Sequence, residues 1–342
     1  MNFNHANNTV ADWEALTASL LTYQPQSWKG SEKTNSDIYT DVLTPISRQK
    51  AGSHWRSVNY FWDQYQTGLN YARQGKLSSA EQVFAQATIA RSEFTNRAML
   101  NQLIDVSALP ALAYLCYKQG NYAEAERLLI KSIDSDAELV AEGMYILAFH
   151  RVQQLHNLAR LLFRQGRLKE GACMIDIALK FLVYQQVPAI GNGKRWSDEL
   201  TYQTSGQLRS DMLWQLTNET VNVFLTYPAQ SIELCQLTFG NMTGWDAKTT
   251  HETEIQAWFT LIDLIQLSHG ETRLSDIVNF LITSPPIFDN LKMVLVLIIT
   301  QNSGVAARWQ QRIFHFIAQL KLGPVQYKTC STFVAQLLHN DF

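Results

Sequence analysis

Three glycines constrain the fold more than any other feature of this 342-residue chain. Gly75, Gly120 and Gly166 lie 45 and 46 residues apart, and each stands between two stretches with helical periodicity. The three segments read GLNYARQGKLSSAEQVFAQA, ALAYLCYKQGNYAEAERLLIKSI and NLARLLFRQGRLKEGACMIDIAL. A repeat of helix, glycine turn and helix predicts antiparallel helix pairs that stack side by side.

Small and large residues recur at fixed distances from each turn glycine. Small residues stand seven positions before it and five after it, and larger apolar residues stand nine after it. These positions hold Gly68, Ala113 and Ala159, then Ala80, Ala125 and Gly171, then Phe84, Leu129 and Ile175. Small residues let two helices approach closely, so the alternation predicts tight packing within each pair.

The pattern resembles the tetratricopeptide-repeat family, and the first segment matches it best. The matching residues are Gly68, Tyr71, Gly75, Ala80, Phe84 and Ala87. The resemblance covers about 120 of the 342 residues and implies an all-α, right-handed solenoid of antiparallel helix pairs. Each unit exceeds the family's usual length of about 34 residues by roughly 11, which predicts longer helices. The proline that is common at the end of a family unit is missing.

Four regions follow from the pattern. Residues 1–58 are predicted to form an irregular N-terminal arm or cap, because they are polar and contain a turn-rich stretch. Three tetratricopeptide-like helix pairs occupy residues 59–186, and residues 187–205 form a loop. Residues 206–342 keep helical patterns interrupted by prolines, which predicts a helical region that continues or caps the array.

Composition narrows the functional classes. With 28 basic and 30 acidic residues the net charge is −2, which disfavours a nucleic-acid partner. The first residues lack the basic and apolar regions of a secretory signal. The most apolar run, Met293–Ile299, is too short to span a bilayer and is predicted to be a buried helix. These features predict a cytoplasmic protein without membrane insertion.

The sequence predicts no catalytic residue, no cofactor and no metal site. It contains no GxSxG, P-loop or HExxH motif, and its four cysteines have no metal-binding spacing. His150 and His156 are six residues apart, so they face different sides of a helix. One loop is a candidate anion-binding site, because it combines two glycines with two cations. Its residues are Gly191, Gly193, Lys194, Arg195 and Trp196, and the alternative interpretation is an exposed linker whose tryptophan packs on the next helix.

In tetratricopeptide-repeat proteins the first helix of each unit lines a concave groove. The resemblance implies that the groove of this chain is formed by Trp62, Tyr65, Leu69, Arg73, Tyr114, Tyr117, Lys118, His156, Arg160, Phe163 and Arg164. Residues 59–186 contain 13 basic and 12 acidic side chains, yet this set contains four basic and no acidic ones. Arginine binds carboxylate and phosphate groups through paired hydrogen bonds, so the groove suits a peptide or protein with acidic groups. Alternatively, the aromatic rings pack on neighbouring helices and the cations only solvate the array.

Three functions remain open at this stage. The favoured one is a non-catalytic binding or scaffold protein that holds a peptide or protein partner in the basic and aromatic groove. The second is a regulator that binds a small peptide or metabolite and switches a helical C-terminal effector. The third and least favoured is an enzyme on an all-helical scaffold that uses the 191–196 loop and a histidine. Recognition of chaperone C-termini is disfavoured, because Leu69 replaces the asparagine of the family's carboxylate clamp.

Overall fold

The computed structural model describes residue 18 and residues 35–92, 98–184, 206–240, 242, 244–247, 249–266, 274–302 and 310–339. Every regular element in these ranges is helical, which confirms the all-α prediction. The contacts divide the chain into two compact units. The described residues from 35 to 209 form the first, called the array, and those from 210 to 339 form the second, called the C-terminal unit.

The array consists of consecutive helices joined by short connections. These are α1 (Asn35–Ala51), a 3-10 turn (Gly52–His54), α2 (Trp55–Arg73), α3 (Leu77–Arg91), α4 (Ala98–Lys118), α5 (Tyr122–Ala141), α6 (Leu147–Arg164) and α7 (Leu168–Tyr184). Helices α2–α3, α4–α5 and α6–α7 are the three predicted pairs, and they confirm the helical-repeat architecture. The right-handed twist of the array stays a prediction.

Helix α1 occupies part of the segment that the sequence predicted to be irregular. Its residues Leu43, Ser47 and Ala51 are buried and spaced four apart, so they form one apolar stripe. The helix packs through this region against α2 and α4. The stripe is short and contains a serine, and Pro45 lies inside the helix. These features explain why the sequence pattern did not predict this helix.

Each predicted turn glycine ends the first helix of its pair in a Schellman motif. The φ angles of Gly75, Gly120 and Gly166 are 79°, 79° and 74°, a left-handed region that favours glycine. In the first turn the Gly75 N–H donates to the Ala72 carbonyl at 3.1 Å, and the Lys76 N–H donates to the Tyr71 carbonyl at 2.9 Å. The same two hydrogen bonds occur in the other two turns, so the last carbonyl groups of each helix are satisfied.

Helices within a pair pack closely because glycine replaces a larger residue at the contact. A Cβ atom added to Gly68 would lie 2.2 Å from Cε1 of Phe84, and one added to Gly171 would lie 2.4 Å from Cε1 of Phe163. Both rings are buried. The predicted small–large alternation therefore corresponds to rings seated directly on helix backbone.

The pairs are joined in two different ways. The first pair meets the second mainly through α2 and α4, and Arg91 at the end of α3 donates to Asn101 Oδ1 at 2.8 Å and to Asp105 Oδ1 at 2.6 Å on α4. The third pair meets the second through α5 and α6. Helix α5 therefore lies between the first helices of the second and third pairs.

The junction of α5 and α6 contains a buried polar network. Asp136 is 0% exposed and its Oδ2 atom lies 2.7 Å from Nδ1 of His150, whose Nε2 atom lies 2.8 Å from Nε2 of Gln154. Burial raises the pKa of the Asp136 carboxyl, and His150 opposes this shift. Arg151 is 2% exposed, and its burial lowers its pKa to about 10 while Asp136 and Asp134 oppose the shift. The opposite charges therefore offset part of the cost of burying these groups inside the array.

The C-terminal unit has its own helical core. Its elements are α8 (Gly206–Phe224), α9 (Pro228–Phe239), α10 (Thr250–Gln266), α11 (Leu274–Thr283), a 3-10 turn (Pro286–Phe288), α12 (Asp289–Asn302), α13 (Gln310–Gln319) and α14 (Pro324–His339). Helix α12 packs against α9, α11 and α14, and its residues 291–298 are buried, so the apolar run is a core helix as predicted. Phe239 and Trp258 meet edge to face with centroids 5.0 Å apart.

We expect Gly68→Ala to destabilise the array, because its methyl group would displace the buried ring of Phe84. Overpacking of this kind costs about 1–3 kcal/mol, and the better helix propensity of alanine returns about 1 kcal/mol. The net loss should be up to about 2 kcal/mol in urea unfolding followed by circular dichroism. A second change, Phe84→Leu, should recover part of the loss. Gly206→Ala is the control, since no atom lies within 4 Å of the added methyl group.

We expect Asp136→Asn to change how stability depends on pH. Because the folded-state pKa of Asp136 is raised, its contribution to stability is complete below the unfolded value of about 3.9 and is lost as pH rises through the folded value. Asparagine does not titrate, so the variant should gain stability relative to wild type as pH rises above about 4. Urea midpoints measured across this range test the prediction, and parallel curves for the two proteins would contradict it.

Candidate partner-binding surface

Two equivalent glutamates hold the turns of successive pairs side by side. Glu81 stands six residues after its turn glycine and accepts a hydrogen bond from Nε2 of Gln119, which lies in the turn of the second pair. Glu126 holds the same position in the second pair and accepts from Nη1 of Arg167, in the turn of the third, at 2.7 Å. The third pair has the buried Ala172 at this position. The three turns therefore follow one another along one edge of the array, called the turn edge.

Three cations occupy the same position on this edge, two residues before each turn glycine. They are Arg73, Lys118 and Arg164, called the cationic row, and all three are exposed. Each lies in the last turn of its helix, where a positive charge complements the helix dipole. Within the described residues none of the three makes a hydrogen bond or ion pair. Their charged groups are therefore available to a partner.

The acidic residues nearest the turns are already paired. Glu124 accepts from Nε and Nη2 of Arg127 at 2.7 and 2.5 Å, and Glu170 accepts from Nε and Nη2 of Arg167 at 2.8 and 2.6 Å. These hydrogen bonds lower the pKa of both carboxyl groups. The glutamates that join successive turns are also engaged. The net charge of the turn edge is positive, because its cations outnumber these four glutamates; the cations are Arg73, Lys76, Lys118, Arg127, Arg164 and Arg167.

A group of three tyrosines, called the tyrosine cluster, stands beside the middle cation. The rings of Tyr114 and Tyr117 have centroids 5.9 Å apart, and those of Tyr117 and Tyr122 are 6.1 Å apart. Tyr114 and Tyr117 lie on α4 and are half-buried, whereas Tyr122 begins α5 and is 38% exposed. Their hydroxyl groups make no hydrogen bond within the described residues. The first and third pairs have Leu77 and Leu168 where the second has Tyr122, so the cluster occurs at the middle turn alone among the three.

Three residues of the predicted groove lie in the core of the array. Tyr65 is buried and stacks on Phe84 with centroids 5.6 Å apart, and His156 and Phe163 are buried on α6. The ring of Phe163 fills the space that Gly171 leaves. These three side chains cannot contact a partner in this structure, which corrects the predicted groove at these positions.

The other predicted residues have some access to solvent. Trp62 and Leu69 are half-buried on α2, and the Trp62 indole N–H donates to the Leu103 carbonyl at 2.7 Å. Arg160 is exposed on α6. Tyr122, which the groove prediction omitted because it begins the second helix of its pair, is the main addition. The candidate loop at residues 191–196 lies outside the described residues.

The described part of the chain was expected to hold no metal site and no membrane-spanning helix. It contains no group of three or more His, Cys, Asp or Glu side chains arranged to hold a metal ion. By length and composition, α4 (Ala98–Lys118) is the one described helix that could cross a membrane. Its apolar residues are largely buried against α2 and α5, as in a core helix of a helical array.

The fold and the turn edge define an all-α helical-repeat protein. Comparison with protein families extends this assignment, because a family model described as tetratricopeptide repeat matches residues 109–128. The matched segment comprises the end of α4, the Gly120 turn and the start of α5. It therefore includes the tyrosine cluster and Lys118. The match supports the resemblance seen in the sequence and indicates a role in protein–protein interaction or scaffolding.

No curated protein and no solved structure matches the chain.

Proposed function

We propose that the array is a non-catalytic binding or scaffold module that holds an acidic segment of a partner protein along the turn edge. The cationic row is the observation that carries the proposal. Three exposed cations recur at one position of the repeat without internal partners, while the neighbouring acidic side chains are paired. Such a surface attracts an acidic segment and disfavours a basic one.

The expected binding combines weak charge contacts with apolar contact. An exposed ion pair contributes about 0.2–1 kcal/mol and is weakened by salt, so the cationic row alone gives modest affinity. The tyrosine cluster adds aromatic surface next to Lys118, where rings make larger contributions than exposed charges. The partner segment should therefore carry both acidic and apolar side chains.

We expect charge reversal of the cationic row, Arg73→Glu with Lys118→Glu and Arg164→Glu, to weaken binding of an acidic segment about tenfold or more. Each substitution replaces an attraction by a repulsion at an exposed position. The probe is a fluorescein-labelled peptide of glutamate, leucine and glycine, and the measurement is fluorescence anisotropy at low and high salt.

The matched control changes the same charge elsewhere. Arg56→Glu, Lys131→Glu and Lys328→Glu alter exposed cations outside the cationic row and should leave affinity within about twofold. Circular dichroism checks that both triple variants retain their helical content. Equal losses in the two variants would show that only net charge matters, and absence of binding by the wild type would remove the proposal.

A further inference from the structure

We infer that the partner segment binds as a polyproline II helix whose acidic side chains are unequally spaced, with an apolar side chain in the longer interval. Read from Arg73 to Arg164, the pattern is acidic–x–x–acidic–x–x–apolar–x–x–acidic. The inference rests on the proposed function and specifies the partner that the turn edge fits. It follows from how the three helix pairs are joined and from where the tyrosine cluster lies.

The first interval of the cationic row spans one helix-to-helix contact. Arg73 ends α2 and Lys118 ends α4, and these two helices pack directly on each other. Directly packed helices have axes about 8–10 Å apart. A polyproline II helix advances about 3.1 Å per residue with three residues per turn, so residues i and i+3 share a face about 9 Å apart. Acidic side chains at these two positions match the first two cations.

The second interval spans two helix-to-helix contacts. Lys118 ends α4 and Arg164 ends α6, and α5 lies between these helices because it packs on both. Two contacts place the outer axes up to about 16–20 Å apart. Six residues of polyproline II cover about 19 Å and return to the same face of the segment. The third acidic side chain therefore falls six residues after the second.

The tyrosine cluster lies inside the longer interval. Tyr114 and Tyr117 lie on α4, and Tyr122 is the first residue of α5. Helix α5 packs on both α4 and α6, whose last turns carry the second and third cations. The residue midway between the second and third acidic positions faces the same side of the segment and meets these rings. Aromatic surfaces of this kind accept proline and other apolar side chains of extended segments. Because the cluster occurs at only one of the three turns, it also fixes the register of the segment.

The test compares two arrangements of glutamate, proline, leucine and alanine in peptides of identical composition. The patterned peptide follows the order above and is synthesised in both chain directions, whereas the rearranged peptide has its three glutamates adjacent and its leucine at one end. We expect the wild-type protein to bind the patterned peptide, in one direction, about tenfold more tightly than the rearranged one. Isothermal titration calorimetry at low salt provides the affinities.

A single variant isolates the contribution of the tyrosine cluster. Tyr122→Leu places at the middle turn the residue that the first and third pairs have there, so it should fold normally. It should reduce the preference for the patterned peptide to about threefold or less and keep the salt dependence of binding. An unchanged preference would overturn the role assigned to the cluster.

The outcomes separate this inference from the proposed function. Equal affinity for the two peptides, lost in the charge-reversal variant, would overturn the spacing and leave acidic binding intact. Absence of binding to either peptide would overturn both. A version with phosphoserine in place of glutamate is expected to bind no more than about tenfold more tightly, and a much larger gain would overturn the assignment of carboxylates as the recognised anions.

Discussion

The left-handed glycine that ends the first helix of each pair is the constraint on which the array depends. A Schellman turn reverses the chain within three residues and satisfies the last carbonyl groups of the helix, so the next helix must run back along the first. The turn also fixes where the last turn of the first helix lies. A residue two positions before the glycine lies in the last helical turn, where a cation is favoured by the helix dipole. Arg73, Lys118 and Arg164 occupy that position.

The contacts between pairs convert three separate turns into one edge. Glu81 and Glu126 stand at equivalent positions and reach the turn of the following pair, where Glu81 accepts a hydrogen bond from the neutral Gln119 amide and Glu126 pairs with Arg167. Glu124 and Glu170 form ion pairs with Arg127 and Arg167, each three residues away in the sequence. The contacts that position the turns therefore also engage the acidic side chains nearest the cationic row.

The spacing of the glycines made the helix pairs predictable. A glycine between two segments of helical periodicity has few structural interpretations other than a turn in the left-handed backbone conformation. The tetratricopeptide resemblance also placed Lys118 and its equivalents on the surface. It could not separate Tyr65 and Phe163, which are buried, from Tyr117, which is half-buried, since all three are aromatic residues on first helices. Phe163 is buried because Gly171 on the facing helix leaves room for its ring. That distinction depends on tertiary contacts between helices, which the spacing within one helix does not encode.

The buried network between α5 and α6 bears on the geometry of the turn edge. Sliding one helix past the other would separate Asp136 from His150 and would leave charges buried without compensation, at a cost of several kcal/mol. Apolar contacts alone tolerate such shifts more readily, because they have no direction. The network therefore fixes the register in which the third pair joins the second. Lys118 ends α4 and Arg164 ends α6, and α5 packs on both of these helices, so the same network helps to set the distance between the two cations. A polar junction in the core is thereby linked to the spacing of charges on the surface.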